Sequence, residues 1–436
     1  MPNTIAQNLA RLQAARSAIG SAILAKGGSV TPGDGYEEFP ADIASIPDNV
    51  EHYGLKWEKN NSDPQARCMY LYDCANFTPM QCQSDGTVSL GSWANAFFVK
   101  NNYPAMVKPD GSIDYKLDPT DHTKDLDGND SHITDHATDN AMAIFDCHIW
   151  MKWYEDETHQ YVEIANSKLD DDFHDYPYIR EDGTVNDKLF YPMYEGTIDG
   201  NGKIRSLSGS KAQSNLEGGA PIEQAAAQLN GTNWQIGDWA HHLWFTLLCM
   251  MVGKSTCPEL ALGEGNTNGG SDATGFCTNG ECNTRGQFWG KPRSATDAEN
   301  NQPCKAFYVE NYQANRWKRT LGFYNINGTY YVKMAPPFTT DETYANYTNC
   351  GAVPSAIAWS KDLKVNSCGF MTSSTGSPAS ATTYQGAYFY QNNSQKNLLL
   401  VGGDCDVGAS CGLWYLHVYS RASSRYWGIG ASLYLR

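Results

Sequence analysis

Asn397–Arg436 reads NLLLVGGDCDVGASCGLWYLHVYSRASSRYWGIGASLYLR, and the fold turns on how these residues divide between core and surface. Within LWYLHVYS, Leu413, Tyr415, His417 and Tyr419 alternate with Trp414, Leu416 and Val418. Successive side chains of a strand point to opposite faces. The wholly apolar set therefore belongs in a core. The set carrying Tyr, His and Tyr belongs toward solvent or a ligand, although an ordinary two-faced strand shows the same alternation. Arg421, Arg425, Tyr426 and Trp427 crowd the rest of the segment beside Ser and Gly, with no Lys or Glu among them. Tyr, Trp and Arg are the residues that dominate binding surfaces.

Working outward, 436 residues are too many for one ordinary domain, so two or three are expected. Apolar residues make up 41% and aromatics 12%, enough for real cores. The 26 Tyr and 12 Trp suit either a β-rich protein or a binding surface. Net charge is −16, and Asp110–Asp187 holds 21 acidic residues against five basic ones. Such a surface repels phosphate backbones, so no nucleic-acid partner is expected. DLDGND (125–130) lacks the spacing of an EF-hand and its twelfth-position Glu, and reads as a solvated acidic loop. The 13 Cys form no CxxC pair, so no metal finger is expected and the thiols are expected to be free; Cys68, Cys74 and Cys82 are the ones that could bridge. No basic segment followed by an apolar run opens the chain, so no signal peptide is expected. The most apolar stretch, LWFTLLCMMV (243–252), is half the length of a membrane span and reads as a buried helix, with His241 and His242 as helix-end or core groups. No membrane insertion is expected.

Residues 3–26 step Ile5, Leu9, Leu12, Arg16, Ile19, Ile23, a heptad seam with one Arg, stopped by Gly27 and Gly28. This reads as a helical or coiled-coil stalk, or as an amphipathic helix packed on its own chain, followed by a tether to residue 48. Residues 49–140 read as a small β-rich domain, with CMYLYDC, WANAFFVK and SIDYKL as runs between turns. Two helices are expected later: PIEQAAAQLN, with Pro in its first turn, and DWAHHLWFTLLCMMVG, with Asp238 as N-cap. Strands such as AFYVENY, TLGFYNI and TYYVKM follow, among long Gly/Asn/Ser/Thr stretches.

Gly402-Gly403, Gly412-Leu413, Ala422-Ser423, Trp427 and Gly430-Ala431, in that order and after two helices and the strand FYPMYEG, resemble the C-terminal end of the C-type lectin fold in its sulfatase-modifying-factor branch. Within that branch the tail is similar to the variable proteins of diversity-generating retroelements. The first 48 residues resemble the N-termini of phage tail proteins. The resemblance implies an α+β chain: an N-terminal helical stalk (1–48), a small β-rich domain (49–140) and a C-type lectin-fold ligand-binding domain (141–436) with two helices and an irregular, loop-rich sheet. Its variable region would cover about 397–436.

In such systems template adenines are copied at random, and an AAC codon can then never become Glu, Gln, Lys, Met or Trp. Glu, Gln, Lys and Met total 64 in the chain, so a stretch of this length would hold about six; residues 397–436 hold none. Trp414 and Trp427 would then be fixed scaffold. The ligand-binding set implied is Asp404, Asp406, Val407, Ser410, Tyr415, His417, Tyr419, Arg421, Ser424, Arg425, Tyr426 and Gly428. The function implied is non-enzymatic: a receptor-binding protein of a phage tail tip or fibre, in the virion, gripping a host cell-surface protein or glycan. Its N-terminal region would meet other tail proteins, the chain would form a homotrimer, and no cofactor or metal is called for. The same branch contains the formylglycine-generating enzyme, which uses two cysteines and copper. Cys405 and Cys411 lie near that place, one residue further apart than in the family, and a thiolate pair would suit Cu(I). A third reading is a Ca²⁺-dependent glycan-binding lectin, for which no acidic ligand trio stands near the C-terminal face.

Overall fold

A computed structural model describes residues 5–25, 30, 50–293 and 301–436. The chain is a mixed α and β protein, about 15% helix and 33% strand. The expected tether lies almost wholly outside the described residues.

At the centre stands the helix Trp239–Gly253. Apolar on nearly every side, it has no face to offer water and is buried along its length. Asp238 caps it, accepting from the His241 N–H at 3.1 Å. Polar atoms on and around the helix tie it to its surroundings. Trp244 donates to the Ile149 carbonyl at 3.1 Å, Trp239 to Cys368 at 2.9 Å, and Tyr70 and Tyr191 donate to the helix carbonyls of Met251 and His241. The His242 Nε2 meets the Leu413 carbonyl at 2.9 Å.

Three sheets surround this pillar. One is antiparallel in the order Cys68–Tyr72, His52–Glu58, His159–Ala165, Trp150–Glu155. The second runs Trp234–Ile236, Leu433–Leu435, Leu189–Pro192, Asn140–Phe145, Asn102–Val107, Ile113–Lys116. The third, with nine strands, places Gly412–Val418 between Lys396–Gly402 and Tyr388–Gln391, the latter pairing parallel. Trp317–Ile326 pairs with the other side of Lys396–Gly402 and, in parallel, with Ile429–Gly430.

The expected boundary at residue 140 runs through shared sheets. His52–Glu58 pairs with His159–Ala165, and Asn102–Val107 pairs with Asn140–Phe145. One continuous core holds Tyr53, Trp57, Trp93, Phe145, Trp244, Phe370 and Trp414. Residues 50–140 are thus woven into the larger unit. WANAFFVK, expected as a strand, is a 3₁₀ turn (Trp93–Asn95) and a short helix (Phe97–Lys100). Phe97, Phe98 and Val99 are buried in succession, which a two-faced strand cannot do.

The N-terminal helix runs Ile5–Ala25. Most of its seam is uncovered: Ile5, Leu9, Leu12 and Ile19 are exposed, whereas Ile23 is buried. The last strand, Leu433–Leu435, lies between Trp234–Ile236 and Leu189–Pro192. Arg436 then closes on the helix N-cap, its Nη2 2.7 Å from Asp238.

Candidate ligand-binding site

The strand Gly412–Val418 sorts its residues by face. Trp414, Leu416 and Val418 are buried in the main core, as the alternation predicts. Leu413 is buried too, its N–H donating to Glu259 Oε1 at 2.6 Å. On its own face exposure rises along the strand: Tyr415 is buried, His417 half-buried and Tyr419 41% exposed. Tyr415 therefore departs from the expectation of a solvent-facing ring. Trp317, from the long strand on the far side of Lys396–Gly402, packs edge-on against it at 4.6 Å and covers it.

These rings form one wall of an open cleft of about 470 Å³. Nine of the expected residues line it: Asp404, Asp406, Val407, Tyr415, His417, Tyr419, Ser424, Arg425 and Tyr426. Three do not. Ser410 ends the short turn Gly408–Ser410, and Arg421 points into solvent outside the lining. Gly428 is buried with no side chain to offer, and a Cβ there would lie 2.3 Å from Asp404 Oδ2. Trp317 and Tyr390 line the cleft from outside residues 397–436. The alternation of YFYQ (388–391), which sets Tyr388 and Tyr390 on one face, was the sequence signal for the second.

The electrostatics follow from burial. His417 stacks on Tyr390 at 5.2 Å, meets Ser420 Oγ at 3.2 Å, and burial pulls its pKa down to about 3, so it is a neutral ring. Asp404 is 2% exposed, and desolvation pushes its carboxyl up to about 6. Arg425 lines the cleft and pairs with Glu217 at 3.6 Å. Trp427, expected as buried scaffold, is half-buried in a small cluster with Ala212, Phe276 and Cys405.

The two loops that carry the cleft are held by their backbones. Cys405 N–H donates to the Asn315 carbonyl, Gly269 N–H donates to the Cys405 carbonyl, and Gly408 N–H to Thr267, at 2.8 to 3.1 Å. Arg293 donates to the carbonyls of Ala409, at 2.6 Å, and Cys411. Arg319 donates to those of Ala422 at 3.1 Å and Ser424 at 2.9 Å. Arg316 donates to Ala431 at 3.0 Å. Each arginine is buried beside a buried glutamate: Glu264 at 3.1 Å, Glu223, and Glu195 at 4.0 Å respectively. Gly219 lets the loop approach closely, since a Cβ there would meet the Ala422 carbonyl at 2.4 Å. Sequence reasoning missed these arginines, because a lone Arg among polar residues carries no sign that it will be buried.

Cys405 and Cys411 are not poised for thiolate chemistry. Their thiols face carbonyls, Gly270 at 3.3 Å and Asp404 at 3.2 Å, and burial pushes the first up to about 12 and the second well above its ordinary value. All 13 cysteines are free. Among the described residues one group of possible metal donors comes together, Asp114, His136 and Asp139, in a different cleft. There Lys108 already pairs with Asp114 at 2.7 Å, and the His136 Nδ1 accepts the Asp139 N–H at 3.0 Å. No helix among the described residues is long and apolar enough to cross a membrane.

No family model matches the chain, and no curated protein matches it at a significant level.

Proposed function

We propose that this chain is a receptor-binding protein of a phage tail tip or fibre, and that residues 397–436 form its exchangeable recognition face on a C-type lectin fold of the sulfatase-modifying-factor branch. The observation that carries the reading is the way the two cleft loops are fixed. Their carbonyls and amides are gripped by buried arginines and neighbouring backbone, while the side chains of Asp406, Tyr419, Arg425 and Tyr426 are turned outward. A loop anchored through its backbone keeps its shape when its side chains change, which is what diversification requires. Aromatic, Arg and Ser groups then supply contact area and adaptable hydrogen bonds, and no chemistry.

The partners follow from the same reading: a host-surface molecule at the cleft, and other tail proteins and sister copies at the N-terminal helix, whose seam leaves Ile5, Leu9, Leu12 and Ile19 exposed. A trimer would multiply a weak single-site affinity. The oxidase reading is disfavoured by the two protonated, buried thiols.

Sequencing the gene and its neighbourhood across independent isolates tests the proposal. It predicts a reverse transcriptase beside a near-copy of the segment encoding 397–436. Substitutions should concentrate at adenine-derived positions such as 406, 419, 425 and 426, with 414 and 427 constant. Substitutions spread evenly over the chain would sink it.

A further inference from the structure

Resting on that reading, we propose that the cleft of this chain takes a lysine side chain of a host-surface protein, its ammonium seated on Asp404 inside an aromatic box. Asp404 lines the cleft yet is almost wholly buried. The donor to its carboxylate is neutral, the Asp406 N–H at 3.2 Å, and the Trp317 side chain lies close enough to hold its carboxyl down slightly. Arg425, the one cation lining the cleft among the described residues, and Lys318, beside buried Glu195, are engaged elsewhere. Arg425 pairs with Glu217 at 3.6 Å, and Lys318 with Glu195 at 3.0 Å. His417 is a neutral ring. Among the described residues the carboxylate thus forms no ion pair, and a buried charge without one is unfavourable until a ligand supplies it.

The walls suit a cation. Trp317 meets Tyr415 at 4.6 Å and His417 at 4.9 Å, while Tyr390 meets His417 at 5.2 Å and Tyr419 at 5.1 Å. Tyr426 stands at the rim, 49% exposed. The negative faces of such rings attract an ammonium, most strongly where water is excluded. Asp406, exposed at the mouth, adds a second negative charge to draw it in.

The geometry favours lysine over arginine. Asp404 Oδ1 is occupied by the Asp406 amide. A guanidinium fork wants both oxygens free in one plane, whereas an ammonium is a point charge that needs one. The box also offers a methylene stem apolar surface to lie along.

Calorimetric titration of the full chain with Nα-acetyl-lysine amide, with its Nε-acetylated form and with N-acetylglucosamine tests the assignment. Saturable binding of the first alone is expected, weakened about tenfold or more in Asp404→Asn, a loss on the scale of one charge-assisted contact. Equal binding of charged and acetylated probes, or of the sugar alone, would overturn it without any variant. Unweakened binding to a folded Asp404→Asn would overturn it too. Adsorption to host cells separates the two levels. If Asp404→Asn adsorbs like the parent while a Tyr419→Ala, Tyr426→Ala chain does not, the lysine assignment fails and the receptor reading stands. If both adsorb like the parent, the receptor reading fails.

Discussion

At the scale of single residues, the cleft separates groups that hold the fold from groups that meet a ligand. Tyr419→Ala and Tyr426→Ala remove exposed rings and should change stability by about 1 kcal/mol or less. Trp414→Ala empties a core position and should cost roughly 3–5 kcal/mol. Trp427 sits between: half-buried against Phe276, it should cost about 1–2 kcal/mol, well short of what a core Trp would. Thermal melts of the four variants check the ordering. Gly428 and Asp404 form a coupled pair, because a side chain at 428 would occupy the place of the carboxylate. Gly428→Ser should destabilise the parent, and Asp404→Gly should relieve most of that loss, which a double-mutant cycle reads directly. Titration supplies a signed prediction. The raised carboxyl of Asp404, near 6, means that its ionised form is disfavoured in the fold at neutral pH and that this penalty fades as pH falls. Asp404→Asn should therefore gain up to about 2–3 kcal/mol over the parent at pH 7.5 and lose that advantage by pH 4, measured by urea unfolding. The titratable groups that act on Asp404 include Asp406, Tyr415 and the buried thiols of Cys405 and Cys411, while Arg425 and His417 line the same cleft. Asp406 adds to the penalty. His417, neutral down to about 3, contributes stability of the opposite sign, full above its ordinary 6.5 and lost as pH falls, and it cancels between parent and variant. Much of this scale was legible: the period-two alternation alone placed Trp414, Leu416 and Val418 inside. Tyr415 was not, because the ring that covers it, Trp317, is distant in sequence.

At the scale of elements, the strand and its loops depend on arginines from elsewhere in the chain. Arg319 reaches the carbonyls of Ala422 and Ser424 and neutralises buried Glu223. Arg319→Met should cost about 3–5 kcal/mol, because it leaves a buried carboxylate alone. It should also weaken ligand binding, although Arg319 lies outside the cleft lining. Melting and binding on one preparation check both. The central helix was legible from its unbroken apolar run and the Asp238 cap, and its two histidines are core groups as expected, bonded to Asp238 and to the Leu413 carbonyl. The short helix Phe97–Lys100 was not, since an aromatic run of that length satisfies strand and helix patterns equally. The acidic stretch has a local cause that the sequence did carry. Asp110, Asp118, Asp121, Asp156 and Asp182 each accept from the N–H and hydroxyl of a Ser or Thr two residues on, so a repeated Asp-x-Ser/Thr marks turns. Turn closure thus accounts for five of the 21 acidic residues of that stretch. Chelator treatment should leave the melting temperature unchanged, and a clear drop would expose a bound cation at Asp114, His136 and Asp139.

At the scale of the whole molecule, three sheets are laced through one helix, and the chain crosses between them repeatedly. The expected division at residue 140 failed for that reason: pairings such as His52–Glu58 with His159–Ala165 span more than a hundred residues, which no local pattern reveals. The N-terminal helix, in contrast, was legible almost to the residue, and its exposed seam predicts association. Light scattering of the full chain should give a trimer mass, and Leu9→Glu with Ile19→Glu should reduce it. A monomer in both would remove the stalk reading. The central claim is that residues 397–436 are a recognition face whose side chains can change while the fold stays. Its most direct test is adsorption to host cells of a chain carrying Tyr419→Ser, Arg425→Ser and Tyr426→Ser together, beside the parent, at matched melting temperature. The expected result is a folded protein, melting within a few degrees of the parent, that no longer adsorbs. A variant that unfolds, or one that folds and adsorbs as the parent does, would contradict it.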